Sequence, residues 1–284
     1  MRVLIAGCGW LGSALGQALV ARGDRVVGVR RRAEAAGRLA KLGIEPLVLD
    51  LAEPHAVARL PVDVEAIVAC QAAGAANLAA YARAYVDATR VLLEHARRRA
   101  VGRLVYTGST GVFDQRRGEE VDETTTPRAT RPTARVLLRA ERQVLEAGRA
   151  GVPACIVRLS GLYGPGRYGI VDRVRSGRLA LGPGDDAWMN LCHRTDAVRT
   201  LLALLDAGRP GAVYHASDAH PSRRRDVVRW IAGRLGIPPP RQASGAAGEP
   251  RPNRRIRAER TRAELALELA YPSFREGLAA ATGS

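Results

Sequence analysis

Three glycines near the start of the chain, Gly7, Gly9 and Gly12, stand in the spacing G-x-G-x-x-G. Glycines so spaced act through the backbone. The first permits a tight turn, the second lets main chain approach a pyrophosphate, and the third lets a helix pack close to a strand. The context supplies both elements. Arg2-Val3-Leu4-Ile5-Ala6 is a short apolar run rich in branched side chains, and Ser13–Arg22 reads as a helix. A helix N-terminus at that point aims free N–H groups at phosphate. Gly7, Gly9, Trp10, Leu11 and Gly12 are therefore candidates to hold a dinucleotide.

The next chemistry-bearing stretch selects among dinucleotides. Arg25–Val29 reads as a second strand, and it ends in Arg30-Arg31-Arg32. An acidic residue about 20 residues beyond the glycines would bind a ribose 2′-hydroxyl, whereas a guanidinium suits a 2′-phosphate. Arg30 and Arg31 thus favour NADP over NAD, with NAD as the alternative; the bland reading is that the arginines open a solvated helix. Asp50-Leu51 follows a third strand, Pro46–Leu49, where an acid either contacts the adenine end or caps the next helix. Gln71 and Ala72 follow a fourth strand, Ala66–Cys70, and begin a small-residue segment that a cofactor backbone can pass closely. After a fifth strand, Arg103–Tyr106, come Ser109 and Thr110, hydroxyls able to polarise a carbonyl; Thr133 opens a later helix.

These sites need a scaffold that gathers strand ends. Helical spacing over Ala33–Leu42, Leu78–Arg99 and Thr133–Ala147 alternates with the strands, and Ala154–Leu159 adds a sixth. Strand and helix in alternation give a doubly wound parallel sheet with ligands at the carboxyl ends of its strands. Gln115–Pro132 is polar and reads as a surface loop. Later elements are a helix over Asp196–Asp206 capped by Thr195 or Asp196, a strand at Val213–Ala216, and helices over Arg225–Leu235 and Thr261–Leu269; Pro238–Pro252 reads as a mobile loop.

Composition narrows the class. No N-terminal signal pattern and no apolar run of membrane-spanning length is present. Cys8, Cys70, Cys155 and Cys192 are widely spaced with no metal or disulfide pattern, so reduced core thiols in a cytoplasmic protein are expected, with no metal site. The net charge is +16, yet Lys41 is the only lysine, and the arginines are spread over every helix. Two clusters stand out, Arg223-Arg224-Arg225 and Arg251 to Arg262. A solvated basic surface is favoured over nucleic-acid binding, and some arginines are available for an anionic substrate.

Taken in order, these pieces resemble the extended short-chain dehydrogenase/reductases of the NAD(P)-dependent epimerase/dehydratase type. The resemblance rests on the glycine motif, Asp50-Leu51, Ser109-Thr110-Gly111-Val112-Phe113, Arg158 through Leu162-Tyr163-Gly164-Pro165-Gly166, His193-Arg194-Thr195-Asp196-Ala197 and Tyr214-His215-Ala216-Ser217-Asp218. It implies a Rossmann-type α/β fold, with a dinucleotide domain over 1–160 to which 190–212 returns. A smaller C-terminal α/β substrate domain over 161–189 and 213–284 completes it. It also implies a small-molecule substrate, sugar-nucleotide-like or anionic, no membrane, a homodimer through paired helices, and Arg158 and Tyr163 flanking the cleft, Arg158 among the cofactor-binding residues.

The family's proton-transfer pair is Tyr-x-x-x-Lys on the helix after strand five. Here Thr133 and Leu137 stand at those places, and no tyrosine in the chain has a lysine four residues later. Ala6 and Tyr85 depart from the family pattern as well. The chain thus resembles an atypical member. Ser109, Thr110 and Thr133 remain the catalytic candidates; His193 is a further proton source, though a structural role suits it better. Two readings stay open, an NADP(H)-dependent oxidoreductase or epimerase, and a non-catalytic NADP(H)-binding sensor.

Overall fold

The computed structural model describes residues 1–242 and 252–283. In chain order its elements begin with β1 (Arg2–Ala6), α1 (Trp10–Ala21), β2 (Arg25–Arg30), α2 (Ala33–Ala40), β3 (Glu45–Val48), α3 (Ala56–Arg59) and β4 (Ala66–Ala69). Then come α4 (Leu78–Tyr81), a π-helical turn over Ala82–Asp87, α5 (Ala88–Arg98), β5 (Arg103–Ser109), β6 (Glu119–Val121), α6 (Pro132–Arg149), β7 (Ala154–Leu159) and β8 (Gly161–Tyr163). The remainder is α7 (Gly169–Arg175), β9 (Trp188–Met189), β10 (Leu191–His193), α8 (Arg194–Ala207), β11 (Val213–Ala216), β12 (Ser222–Arg223), α9 (Arg224–Arg234), β13 (Arg254–Ile256), α10 (Glu259–Glu264) and α11 (Phe274–Thr282).

The chain divides into two units. The first comprises Met1–Val112, Ala129–Arg158 and Val198–Tyr214; the second comprises Phe113–Arg128, Leu159–Ala197 and His215–Ser284. The first is a seven-stranded sheet in the order β11-β7-β5-β4-β1-β2-β3. β1 pairs in parallel with both β2 and β4, so the strand order reverses at β1, and the crevice for a ligand opens there. Central strands of a parallel sheet are covered on both faces and need unbroken apolar runs. Val3, Leu4, Ile5 and Ala6 of β1 are accordingly all fully buried. On one face Leu4, Ile67, Leu104 and Ile156 pack with Val91 and Leu92 of α5 and Ala140 and Val144 of α6.

Several boundaries differ from the sequence reading. α1 starts at Trp10 rather than Ser13, because the helix begins inside the glycine motif. β5 runs three residues further, to Ser109, which places that serine on the strand's carboxyl end. The helix after β4 is not uniform: its π turn is invisible to a 3.6-residue pattern. The stretch expected as a loop, Gln115–Pro132, contains β6, which pairs in parallel with β13 more than 130 residues away. That pairing draws residues 113–128 into the second unit.

The second unit packs Tyr163, Val171, Val174, Val227, Ile231, Phe274 and Leu278 into its own core. Here α8 starts at Arg194, so neither Thr195 nor Asp196 is its cap. His193 Nδ1 instead accepts from Thr195 N–H at 3.2 Å, and the Asp196 carboxylate accepts from the N–H groups of Ala270 and Tyr271. α10 ends five residues before the expected Leu269, and α11 is opened by a reciprocal Ser273–Glu276 cap. Much of the second arginine cluster is matched by acids: Arg255 and Arg257 pair with Glu120, and Arg257 and Arg262 with Glu259. Arg251 and most of the Pro238–Pro252 stretch lie outside the described residues.

One buried acid makes the second unit's stability pH-dependent. Asp218 is 4% exposed. Burial pushes its carboxyl up to about 8, assisted by Glu276 and Asp196 and opposed by Leu191 N–H and Arg262. The folded state therefore keeps a proton that the unfolded chain loses near pH 4, so the stability from this group is full below pH 4 and is lost as pH rises through 8. Asp218→Asn removes that loss. Denaturation at pH 6 and pH 9 is expected to show the variant gaining on the wild type at the higher pH, by on the order of 2 kcal/mol. Parallel pH dependence in the two proteins would contradict this.

Candidate cofactor site and its catalytic end

The glycine motif is shaped as its spacing requires. Gly7 has φ +79°, and a Cβ there would lie 2.6 Å from Gln71 N and 2.9 Å from Cys70 C, both main chain. A side chain at Gly12 would press on Gly7 O and Ile5 Cγ2 at 3.0 Å, where α1 meets β1. Gly9 precedes α1, and no side chain caps that helix. A Cβ on Gly9 would press on Arg30 Nη1, at 3.0 Å, and make an ordinary contact with Gly7 O at 3.8 Å. These are the features of a backbone cradle for pyrophosphate. Cys8 inside it is no nucleophile, since burial pushes its thiol up to about 11.

Of the three arginines at the end of β2, one reaches this cradle. Arg30 Nη1 donates to Cys8 O at 3.2 Å. Arg31 reaches the segment after β4, where its Nη2 lies 3.0 Å from a Cβ built on Gly74. Arg32 instead precedes α2 and is exposed. Asp50 does not cap the next helix, since α3 starts at Ala56 and is preceded by His55. Its Oδ1 accepts from Ala52 N–H at 3.0 Å and its Oδ2 pairs with Arg83 at 3.0 Å. Burial opposes its charge, yet Ala52 N–H and Arg83 outweigh it and hold the carboxyl below its ordinary value. Leu51 is buried in the core, Gln71 Nε2 donates to Thr89 Oγ1 at 3.1 Å, and Ala72 is exposed. Sequence reasoning missed Arg83, which only the π turn brings to Asp50 and Glu53.

Arg158 stands apart from these residues. It is 4% exposed, and its Nε and Nη2 grip the Glu141 carboxylate, the shortest contact being 2.8 Å. Burial pushes Glu141 up while Arg158 pulls it down. A Cβ on Gly108 would lie 2.6 Å from Glu141 Oε1, so the pair supports β5 from below. What the structure shows for Arg158 is an internal ion pair rather than a wall of the crevice.

At the carboxyl end of β5, Ser109 Oγ accepts from Gly111 N–H at 3.0 Å. Thr110 is buried, and Thr133 is half-buried in the first turn of α6. Arg131, just before Pro132 at the start of α6, donates from Nη2 to Gly111 O at 2.7 Å. Burial shifts both candidates of the second unit, leaving His193 neutral and Tyr163 protonated at neutral pH. His193 is stacked 3.7 Å from the Tyr271 ring, and burial, with Arg194, lowers it to about 4. Tyr163 is raised by burial and by Asp218, and its hydroxyl lies 3.5 Å from Ser273 O. Among the described residues no group of three or more His, Cys, Asp or Glu is placed to hold a metal ion. No helix among them is long and apolar enough to cross a membrane.

Known proteins place this architecture. Protein YeeZ of Escherichia coli (strain K12) is 30% identical over 280 residues, covering 95% of this chain and 96% of that protein. The 2-alkyl-3-oxoalkanoate reductase of Stenotrophomonas maltophilia (strain K279a) is 28% identical over 255 residues, 84% of this chain and 77% of its own length. The solved structure of DesIV, a dTDP-glucose 4,6-dehydratase from Streptomyces venezuelae with NAD and TYD bound, matches with a TM-score of 0.87 at 22% identity, covering 99% of this chain and 96% of that one. That last likeness is one of fold. The family model described as the NAD dependent epimerase/dehydratase family matches residues 3–217. With most of the sheet and the whole glycine motif inside that match, the chain belongs to the NAD dependent epimerase/dehydratase family.

Proposed function

We propose that the chain is an NADP(H)-dependent oxidoreductase acting on the carbonyl of a small, anionic substrate. The observation that carries this is Arg30 Nη1 donating to Cys8 O inside the glycine cradle, with Arg31 lying against Gly74 in the segment after β4. Gly7, Gly9, Gly12 and the first turn of α1 would hold the pyrophosphate, and Arg30 and Arg31 the 2′-phosphate. A nicotinamide dinucleotide bound there supplies hydride transfer. The protein's own part is to place the substrate and polarise its oxygen, for which Ser109 is the hydroxyl at the strand end. Support for an anionic carbonyl substrate comes from the relative that is a 2-alkyl-3-oxoalkanoate reductase. The four unpaired thiols are in keeping with a cytoplasmic setting.

A second reading, an NADP(H)-binding sensor without turnover, is supported by the sequence: α6 carries Thr133 and Leu137 at the positions that the resemblance assigns to Tyr and Lys, and no tyrosine in the chain has a lysine four residues later. One assay separates the two. Oxidation of NADPH, followed at 340 nm with a panel of 3-oxo acids, ketones, aldehydes and sugar nucleotides, is expected with the oxo acids and to fall when Ser109 becomes Ala. NADPH binding with no oxidation across the whole panel would leave the sensor.

A further inference from the structure

The end of the crevice where the family's proton donor would act is not bare. Arg131 Nη2 donates to Gly111 O at 2.7 Å, and Gly111 N–H donates to Ser109 Oγ at 3.0 Å. One glycine thus ties the guanidinium and the hydroxyl together. A Cβ on Gly111 would lie 3.1 Å from Ser109 Oγ and 4.0 Å from Arg131 Nη2, so both groups border the same small space. Arg131 is exposed, and it is fixed along the chain by Pro132, the first helical residue of α6. The other arginine of this turn, Arg135, directs its Nε at Ala129 O, 3.4 Å away.

We infer that Arg131 is a catalytic residue that, with Ser109, binds the negatively charged oxygen of the substrate. This rests on the oxidoreductase reading above. When the carbonyl carbon gains a hydride from the reduced dinucleotide, the C=O π pair moves onto oxygen. A guanidinium offers that oxygen a permanent positive charge and planar N–H donors. The alkoxide then takes its proton from solvent water, and the dinucleotide is left oxidised. The donor works by charge stabilisation and needs no ionisable tyrosine. Losing one such donor typically costs about 100- to 1000-fold in rate.

The test uses Arg131→Gln, Arg131→Lys and Arg131→Ala in the full-length protein, with acetoacetate and longer 3-oxo acids as probes. Arg131→Gln is expected to lower kcat/KM about 100-fold or more with NADPH affinity unchanged. Arg131→Lys should retain part of the rate, and added guanidinium should restore part of it to Arg131→Ala. Calorimetry adds a readout without turnover: acetoacetate titrated into the NADP+-loaded protein should bind at least about 10-fold more weakly to Arg131→Gln, a loss of ~1.4 kcal/mol. If the wild type oxidises NADPH with these acids and Arg131→Gln stays within threefold, the inference about Arg131 is overturned and the oxidoreductase reading stands. If no NADPH is oxidised but acetoacetate binding depends on Arg131, Arg131 contacts the oxo acid only in its ground state, and both its catalytic role and the oxidoreductase reading fall. If neither turnover nor Arg131-dependent binding is seen, both fall.

Discussion

Gly7→Ala is expected to weaken NADP(H) binding more than 100-fold. Two separate penalties act at this residue. Its φ of +79° is a left-handed conformation that costs an L side chain about 1–2 kcal/mol. The added Cβ would also lie 2.6 Å from Gln71 N and 2.9 Å from Cys70 C. Those atoms are main chain of the two residues that follow β4, whose partner is β1, so relief of the clash has to move backbone at the carboxyl ends of the strands that form the crevice. Two other glycines separate these effects. At Gly9 the one close contact of a Cβ is the flexible tip of Arg30, Gly7 O lying at an ordinary 3.8 Å, so Gly9→Ala should give a smaller loss, concentrated on NADPH rather than NADH. At Gly23 φ is +91° but nothing lies within 4 Å, so Gly23→Ala should cost stability and leave dinucleotide affinity unchanged. Calorimetric dissociation constants for the three variants check the order. Equal losses at Gly7 and Gly23 would show that strain alone, and not the cradle, is being measured.

Glu141→Leu is expected to destabilise the first unit by about 3–5 kcal/mol. The change takes from the buried Arg158 guanidinium the carboxylate that it grips through Nε and Nη2, and removing one partner of a buried ion pair costs more than the pair contributes. The double variant Glu141→Leu with Arg158→Met removes both charges and should recover most of the loss, because apolar groups of similar volume often replace a buried pair at little cost. Urea denaturation of the single and double variants measures this. A single variant as stable as the wild type would mean that water reaches Arg158 in the fold. If Arg158 were instead a cofactor ligand, Arg158→Met in the double variant would abolish NADPH binding despite restored stability.

The contrast between these two sites shows what the sequence could reveal. The glycine cradle is local: the six residues from Gly7 to Gly12 specify turn, approach and packing, and their types leave few alternatives. The parallel sheet was readable for a similar reason, since β1, β4 and β5 are built on the short apolar runs Val3–Ala6, Ala66–Ala69 and Leu104–Tyr106 between amphipathic helices. Arg158 was read through its place in a motif, but its partner Glu141 sits 17 residues earlier, on the buried side of a helix whose pattern marks it only as one more charge. Asp196 looked like a helix cap and instead holds the N–H groups of Ala270 and Tyr271, 74 and 75 residues away. β6 is a charged three-residue strand with no periodicity of its own, specified only by β13. Arg83 and Arg131 were hidden among 44 basic residues, and only the π turn and the bond to Gly111 distinguish them. Local backbone chemistry is written in residue type; long-range pairing of charges is not.

The claim on which the rest depends is that this cradle holds NADP(H). Isothermal titration of the protein with NADPH and NADH, repeated for the Arg30→Ala, Arg31→Ala double variant, tests it most directly. NADPH is expected to bind at least about 10-fold more tightly than NADH, a difference of ~1.4 kcal/mol, and the double variant to lose that preference while still binding NADH. Equal affinities in the wild type, or no heat from either nucleotide, would contradict the account.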